Sequence, residues 1–187
     1  MIPAIKLFIF LFPMTVFAEM KVSFLSNFIQ DNKSISSSNS SSTIYDVSAH
    51  IYFNRSLSWA VAVGYAGSTS KEPIDDDSEA TLTTENPYVG LTWVFGKKSL
   101  YSFGAYYSPI VRARYSETSS AEETWSGSSY FVRASVHPYI YKSVMVQLSL
   151  TYSSSQYTEK GAENDVSDVD SFSKSTVTPM VGLSFQF

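Results

Sequence analysis

Apolar and polar residues alternate along most of the chain with a period of two. In the segment 46–54, DVSAHIYFN, valine, alanine, isoleucine and phenylalanine take every second position. Successive side chains of a β-strand point to opposite faces, so this period predicts strands with one apolar face. The sequence therefore predicts an all-β fold with eight strands, in the segments 21–32, 46–54, 57–67, 86–95, 100–115, 129–138, 143–154 and 176–187.

The links between these segments alternate between short and long. The short links suit tight hairpins and cover residues 54–56, 96–98 and 139–142. The long links are polar and cover residues 33–43, 68–80, 116–124 and 158–171. This alternation predicts an antiparallel up-and-down order, with short turns at one end and long loops at the other. An even number of strands leaves both termini at the short-turn end.

The first residues, MIPAIKLFIFLFPMTVFA, contain one lysine, an apolar run and small residues near position 18. This arrangement is typical of a cleaved secretory signal and is too short for a spanning helix. We predict a signal peptide over residues 1–18 and one mature domain over residues 19–187. A buried N-terminal helix is the alternative. The chain has no cysteine, so an exported domain would be held together without disulfides.

Composition excludes two large classes of protein. Hydrophobic residues make up 44%, mean hydropathy is -0.04 and no second apolar run approaches ~20 residues, which excludes a bundle of membrane-spanning helices. The net charge of -4 gives no clustered basic surface for nucleic acid. Aromatic residues reach 16%, and tyrosine and tryptophan are favoured at membrane interfaces, where one end of the ring is dry and the other wet.

The chain ends on TVTPMVGLSFQF, a strand with one apolar face and no polar tail. A strand of about ten residues, rising ~3.3 Å per residue and tilted by ~40°, spans the roughly 25 Å apolar band of a membrane barrel. In hydrocarbon every backbone N–H and C=O must be paired, so the last strand must pair with the first. We therefore expect a transmembrane β-barrel whose apolar side chains face lipid. The alternative is an exported sandwich or lipocalin-like barrel with the apolar residues inside.

Over its predicted mature length, the sequence resembles the small eight-stranded outer-membrane proteins of Gram-negative bacteria, of the OmpX and opacity-protein type. The resemblance is carried by the C-terminal assembly signal of that class, a glycine followed by spaced hydrophobic residues and a terminal aromatic. Gly182, Phe185 and Phe187 match this signal, while Met180 stands where a polar residue is usual. The resemblance implies an outer-membrane location, contact with outer-membrane lipid, and recognition of this end by the barrel assembly machinery. Many functions share this architecture.

The polar faces of the predicted strands collect charged residues that would line a narrow lumen. An eight-stranded interior is just filled by side chains, so we interpret this set as a structural network of ion pairs and hydrogen bonds. A selectivity ring or a proton-sensitive constriction is the functional alternative. One aspartate cannot balance the charge of three buried arginines, so other carboxylates would have to point into the lumen. The predicted lumen residues are Asp46, His50, Arg112, Arg114, Arg133 and His137, with Lys174 as a further member.

The long links carry most of the acidic residues. Two clusters offer the oxygen ligands that Ca²⁺ takes, but neither has the glycine and terminal glutamate of an EF-hand. We interpret them as solvated loop tips that make the loop end negative, and we predict no metal and no cofactor. The clusters are Asp75, Asp76, Asp77 and Glu79 in one link and Glu163, Asp165, Asp168 and Asp170 in another.

No catalytic site is predicted. A serine–histidine–acid arrangement needs the base within reach of the nucleophile, whereas His137 lies beside a predicted turn and His50 points into the lumen in mid-strand. We expect a monomeric barrel whose rigid wall presents polar loops for surface recognition, adhesion or envelope integrity. The surface ligand is not identified by these residues. The alternative is a narrow channel for small or apolar solutes, as in OmpW-like proteins.

Overall fold

The computed structural model describes residues 19–27, 41–52, 58–75, 78–96, 100–117, 123–162 and 172–187. No helix in these ranges is long and apolar enough to span a bilayer. The described strands are β1 (Glu19–Asn27), β2 (Ser41–Tyr52), β3 (Trp59–Asp75), β4 (Ser78–Phe95), β5 (Tyr101–Glu117), β6 (Glu123–Val136), β7 (Tyr139–Tyr141), β8 (Val144–Ala162) and β9 (Phe172–Gln186).

The eight long strands close into a barrel. Each pairs antiparallel with its neighbours in the chain, β6 pairs directly with β8, and the short β7 pairs with the start of β8. The first strand meets the last, because β1 pairs with β9 from Lys21 with Gln186 to Asn27 with Met180. Closure removes the sheet edges that hydrocarbon does not tolerate. The predicted eight-stranded antiparallel up-and-down barrel is therefore confirmed.

Apolar side chains point away from the barrel over its middle part, as predicted. Leu91 and Leu150 are each 54% exposed, whereas Ser184 on the polar face of β9 is 0% exposed. Aromatic rings border this apolar belt, and Trp59 stacks on Trp93 with ring centroids 6.1 Å apart. A closed barrel with an apolar belt between aromatic girdles has the features of a membrane-spanning β-barrel. The border residues are Trp59, Trp93, Phe95, Tyr101 and Phe103 at the turn end and Tyr45, Tyr65, Tyr107, Tyr130 and Tyr152 at the loop end.

Four strands run well beyond the girdle at the loop end. β3, β4, β5 and β8 contain 17, 18, 17 and 19 residues, against about ten that cross a membrane. The prediction of a loop over 68–80 is wrong for the residues that the structure describes, because β3 continues to Asp75 and β4 starts at Ser78. Mostly polar residues fill this hairpin, so no hydrophobic period marks it. Asp75 and Glu79 lie in strands, whereas Asp76, Asp77, Glu163, Asp165, Asp168 and Asp170 lie outside the described residues.

A β-bulge in β5 changes which side chains face the lumen. The β5–β6 register shifts by one residue between Ser108 and Val111, and the β4–β5 pairing is interrupted beside it. Pro109 lies in the bulge and Pro87 lies in the interrupted stretch of β4, where a missing N–H donor is tolerated. Val111 and Ala113, which simple alternation places outside, are fully buried.

The prediction that Arg112 and Arg114 line the lumen is therefore wrong. Both side chains are exposed, because the extra residue of the bulge moves each following side chain to the opposite face. Arg112 lies opposite Glu85 of β4, and Arg114 lies opposite Thr83. The correction also reduces the expected charge imbalance, since Arg133 alone of the three predicted arginines is buried in the lumen.

The part of the barrel beyond the belt has a small apolar core of its own. Val111, Ala113 and Tyr157 are buried together, and Leu82 and Trp125 pack against them. In water an apolar side chain is stabilised inside the barrel, whereas in lipid it is stabilised on the outside. The bulge thus switches β5 from the membrane pattern to the pattern of a water-soluble barrel where the strand leaves the belt.

Candidate functional site in the lumen

A buried ion pair crosses the middle of the lumen. Arg133 of β6 donates to Asp46 of β2 twice, from Nη2 to Oδ2 at 2.8 Å and from Nη1 to Oδ1 at 3.2 Å. Tyr88 of β4 donates its hydroxyl to the same carboxylate, 2.9 Å from Oδ2. One aspartate therefore joins three strands through charge-assisted hydrogen bonds, which are stronger than neutral ones.

Aromatic rings enclose the guanidinium group. Arg133 Cζ lies 5.5 Å from the ring centre of Tyr106 and 5.6 Å from that of Phe131, within cation–π range. Its Nε donates to Thr151 Oγ1 at 3.0 Å. Tyr88, Tyr106 and Phe131 pack on one another with ring centroids 4.7 to 5.4 Å apart. We call the five buried residues Asp46, Tyr88, Tyr106, Phe131 and Arg133 the plug, because they fill the narrow lumen at this level.

Hydroxyl, imidazole and amide groups fill the lumen on the turn side of the plug. His50 Nδ1 lies 3.2 Å from Thr92 Oγ1, which in turn lies 3.0 Å from the Tyr106 hydroxyl. Ser184 donates to Gln147 Oε1 at 2.7 Å. These contacts replace the water that the groups lose on burial, and they rigidify the interior.

His137 forms the contact that most resembles a catalytic pair. Its Nε2 lies 2.7 Å from Ser102 Oγ, the distance expected between a nucleophile and its base. Its Nδ1 is buried and has no hydrogen-bond partner in the described part of the chain. A catalytic triad needs an acid at that nitrogen to orient the imidazole, so this pair lacks the third group.

Lys21 is a lumen residue that the sequence did not reveal. It is 4% exposed on the inner face of β1 and pairs in register with His50 of β2. Adjacent apolar residues break the alternation in the segment 21–32, so the period does not fix the phase of this strand. Pairing with β2, whose phase is clear, is the signal that could have placed Lys21. Tyr88 and Tyr106 were not among the predicted lumen residues either, because that prediction selected charged residues and histidines.

A cavity of about 120 Å³ lies on the loop side of the plug. Asp46, Arg133 and Phe131 line it from the plug, and serine and threonine side chains of six strands form much of its wall. Lys174, the further member of the predicted lumen set, lines this cavity and is exposed. The lumen is thus divided into a filled turn side and an open loop side.

The structure places Asp46, His50, Arg133 and His137 inside the barrel and brings Asp46 and Arg133 into contact. Arg112 lies outside it, as does Arg114. Across the described ranges, no group of three or more histidine, aspartate or glutamate residues is arranged to hold a metal ion.

The predicted assembly residues lie where the first and last strands meet. Gly182 pairs with Leu25 of β1. The ring of Phe185 meets that of Phe24 edge-on, with centroids 6.3 Å apart, and Phe187 is exposed at the end of the chain. These residues form the closing seam of the barrel, and their recognition by the assembly machinery stays a prediction.

Comparison with known proteins shows a shared fold. No protein-family model matches the sequence, and no curated protein matches it significantly. Neisserial surface protein A aligns with a TM-score of 0.54 and 13% identity, over 90% of this chain and 97% of its own. Ail, the attachment invasion locus protein of Yersinia pestis, aligns with a TM-score of 0.51 and 14% identity, over 91% and 97%. Ail in complex with the heparin analogue sucrose octasulfate aligns with a TM-score of 0.52, 14% identity and coverage of 91% and 97%. The resemblance to small outer-membrane barrels is confirmed as a likeness of fold.

Proposed function

We propose that this protein is a surface-recognition barrel that holds binding segments above the outer membrane. The observation that carries the proposal is the length of its strands beyond the loop-side girdle. Asp75 at the end of β3 lies ten positions beyond Tyr65 at the girdle. At ~3.3 Å per residue and ~40° tilt, these ten positions rise roughly 25 Å. Ladder pairing holds the described residues of this hairpin in place, which reduces the entropy that they lose on binding a partner.

The plug favours recognition over transport. Asp46, Arg133 and Tyr88 hold one another across the lumen, so a passing solute would have to separate a buried ion pair. Breaking such a pair costs about 3–5 kcal/mol. A narrow channel for small or apolar solutes is the alternative function.

The charge of the loop end bears on the class of ligand. Ail was solved with a heparin analogue, which is a polyanion. The acidic link that contains Asp75, Asp76 and Asp77 would repel such a ligand in this chain. A neutral or cationic ligand therefore suits the loop end better.

Shortening the β3–β4 hairpin tests the proposed function. Lys71 and Thr81 are partners in the ladder, so residues 72–80 can be replaced by an asparagine-glycine dipeptide, which suits a tight hairpin. We expect the shortened barrel to fold, as shown by heat-modifiable migration in electrophoresis. Cells that produce it should bind immobilised glycans and extracellular proteins about tenfold more weakly, the effect of losing a contact of ~1.4 kcal/mol.

A matched variant of full length separates the charge of the hairpin from its height. It carries Asp75→Asn, Asp76→Asn, Asp77→Asn and Glu79→Gln. If the shortened barrel loses binding and the full-length charge variant does not, the effect is due to the height of the hairpin. The proposal fails when wild-type cells bind no better than cells without the protein, or when the shortened barrel binds as well as wild type. Discrete, reproducible openings of the purified barrel in planar bilayers would support the channel instead.

Outer-membrane lipid is the partner that suits Arg112 and Arg114, the two arginines on the outer face of β5. Arg112 and Arg114 are exposed on β5, five and seven positions past the girdle residue Tyr107, so their long side chains can reach the phosphate groups of the outer leaflet. Arginine binds phosphate through two parallel hydrogen bonds. We expect the double variant Arg112→Gln, Arg114→Gln to bind lipopolysaccharide about tenfold more weakly in detergent titrations, the loss of one charge-assisted hydrogen bond of ~1.5 kcal/mol. Lys142→Gln at the turn end is the matched control, and equal affinities of the two variants would contradict the contact.

A further inference from the structure

The cavity on the loop side of the plug is a recess built inside the barrel. Asp46 and Arg133 line it from the plug, and Phe131 and Met180 add apolar surface. Each of these four side chains is at most 4% exposed. The volume of about 120 Å³ is well above the ~10–15 Å³ that one water molecule needs in such a cavity. The recess is therefore large enough for part of a small organic ligand.

Hydroxyl groups line opposite walls of the cavity in pairs. Ser68 of β3 and Thr84 of β4 lie 2.7 Å apart, and Ser153 of β8 and Thr176 of β9 also lie 2.7 Å apart. A hydroxyl has one donor and two acceptor positions. A pair that shares one hydrogen bond therefore keeps further capacity for groups of a ligand. These pairs match an occupant that can both donate and accept.

Asn86 adds an acceptor that the described part of the protein does not satisfy. The residue lines the cavity, and its Oδ1 is buried without a hydrogen-bond partner. A buried amide oxygen without a donor is unfavourable. The oxygen itself is closed off from the cavity in this conformation, so a rotation of the amide would have to bring it to an occupant that supplies the missing donor.

The charges around the cavity favour a neutral occupant. The carboxylate of Asp46 already accepts hydrogen bonds from Arg133 and Tyr88, so the charges at the plug neutralise each other. Among the described residues, Lys174 is the one other charged residue that lines the cavity, and it is exposed, so solvent and salt screen its charge. An ionic ligand would have to leave water for a surface whose buried charges are already paired, which is costly.

We propose that this cavity binds one neutral saccharide ring, such as the terminal residue of an external glycan. Sugar hydroxyls would bind the serine and threonine pairs and Asn86, and the C–H face of the ring would lie against Phe131 and Met180. Benzene occupies an enclosed cavity of ~150 Å³, which is larger than this one, so only one edge of the sugar ring would enter the cavity and the rest would lie at its mouth. The inference rests on the proposed surface role and names its ligand class.

Titration of the purified, folded barrel with monosaccharides tests the proposal. The detergent is zwitterionic and carries no sugar, so it cannot occupy the cavity itself. The probes are glucose, galactose and N-acetylglucosamine, with glucuronate and glucosamine as charged comparisons, followed by calorimetry and saturation-transfer NMR. We expect at least one neutral sugar to bind with one site per barrel, about tenfold or more tighter than the charged probes.

Two variants locate the bound sugar. Thr178→Phe fills the cavity and should abolish binding, while Val177→Phe, at the neighbouring position that is 62% exposed, should leave it unchanged. Asn86→Leu removes the unsatisfied acceptor, so it should keep or raise the denaturant midpoint and yet weaken the sugar about tenfold. If Thr178→Phe does not fold, Asn86→Leu still tests the proposal.

The proposal is overturned when the wild-type barrel binds no neutral sugar of the panel, or when sugar binding persists unchanged in both Thr178→Phe and Asn86→Leu. Neither result would contradict the proposed surface role, because that role is measured on whole cells with the shortened hairpin. Loss of cell binding on shortening, together with no sugar binding, would point to a ligand held by the hairpin rather than by the cavity.

Discussion

The substitution Asp46→Ala is expected to lower the free energy of unfolding by about 3–5 kcal/mol. It leaves Arg133, whose side chain is 3% exposed, with no carboxylate to balance its charge. It also removes the acceptor of the Tyr88 hydroxyl. Folded proteins are stable by only about 5–15 kcal/mol, so this loss is a large share of the total. The measurement is denaturant unfolding of the refolded barrel, followed by tryptophan fluorescence.

A double variant separates the charge from the packing. Asp46→Leu combined with Arg133→Met replaces the pair with apolar groups, which is often neutral or stabilising, so we expect most of the loss to be recovered. Arg112→Met on the outer face of β5 is the control for removing an arginine, and we expect a change within about 0.5 kcal/mol. A loss below ~1 kcal/mol for Asp46→Ala would contradict the role of the buried pair in stability.

The two halves of the lumen, on either side of the plug, differ in how their polar groups are satisfied. On the turn side, buried groups such as Gln147 and Ser184 bond to one another, so this half is committed to holding the barrel together. On the loop side, Asn86 Oδ1 lacks a partner among the described residues, and a cavity lies beside it. A half filled by hydrogen-bonded side chains below and a half with a cavity above is the arrangement expected of a support that carries a binding surface.

The orientation of the membrane part could be predicted from the sequence because lipid and lumen impose opposite requirements on alternate residues. In β8, Leu148 and Leu150 are exposed, while Gln147 and Ser149 between them are buried. A polar residue placed in lipid would be unfavourable, so the outer face stays apolar and the alternation is clear. The same reasoning placed Asp46, His50, Arg133 and His137 correctly on inner faces.

The bulge could not be predicted from alternation, because two changes cancel at this point. The inserted residue moves each following side chain to the opposite face, and apolar residues change from the outer to the inner face where β5 leaves the lipid. Tyr107 and Val111 are four positions apart and share a parity, yet Tyr107 is 51% exposed and Val111 is 0% exposed. The local signal was Pro109 followed by two adjacent apolar residues, which is how a bulged strand can look. The error moved both Arg112 and Arg114 to the wrong face.

The extension of the strands was hidden for a different reason. Beyond the girdle the outer face meets water, so the residues there no longer need a strong contrast between the faces. The segment 78–86, SEATLTTEN, has one large apolar residue and still forms part of β4. Threonine favours strands, but as a weak signal among polar residues it also suits a loop. The cavity was missed for the same reason, since its wall consists largely of such residues.

Gly182→Ala is expected to prevent most molecules from closing into a barrel. A Cβ at Gly182 would collide with the backbone oxygen of Phe24 and lie 2.7 Å from the Phe24 carbonyl carbon and 2.8 Å from Leu25 Cα. These are backbone atoms of β1, which cannot move aside without breaking the seam that Gly182 itself pairs across. Overpacking of this kind costs about 1–3 kcal/mol or more, so the yield of folded, heat-modifiable barrel should fall about tenfold on refolding into detergent. Refolding without the assembly machinery separates this steric effect from the predicted assembly signal. Leu183→Ala, at an exposed neighbouring position, is the control and should fold nearly as wild type, whereas a normal yield of folded Gly182→Ala would show that the seam can widen.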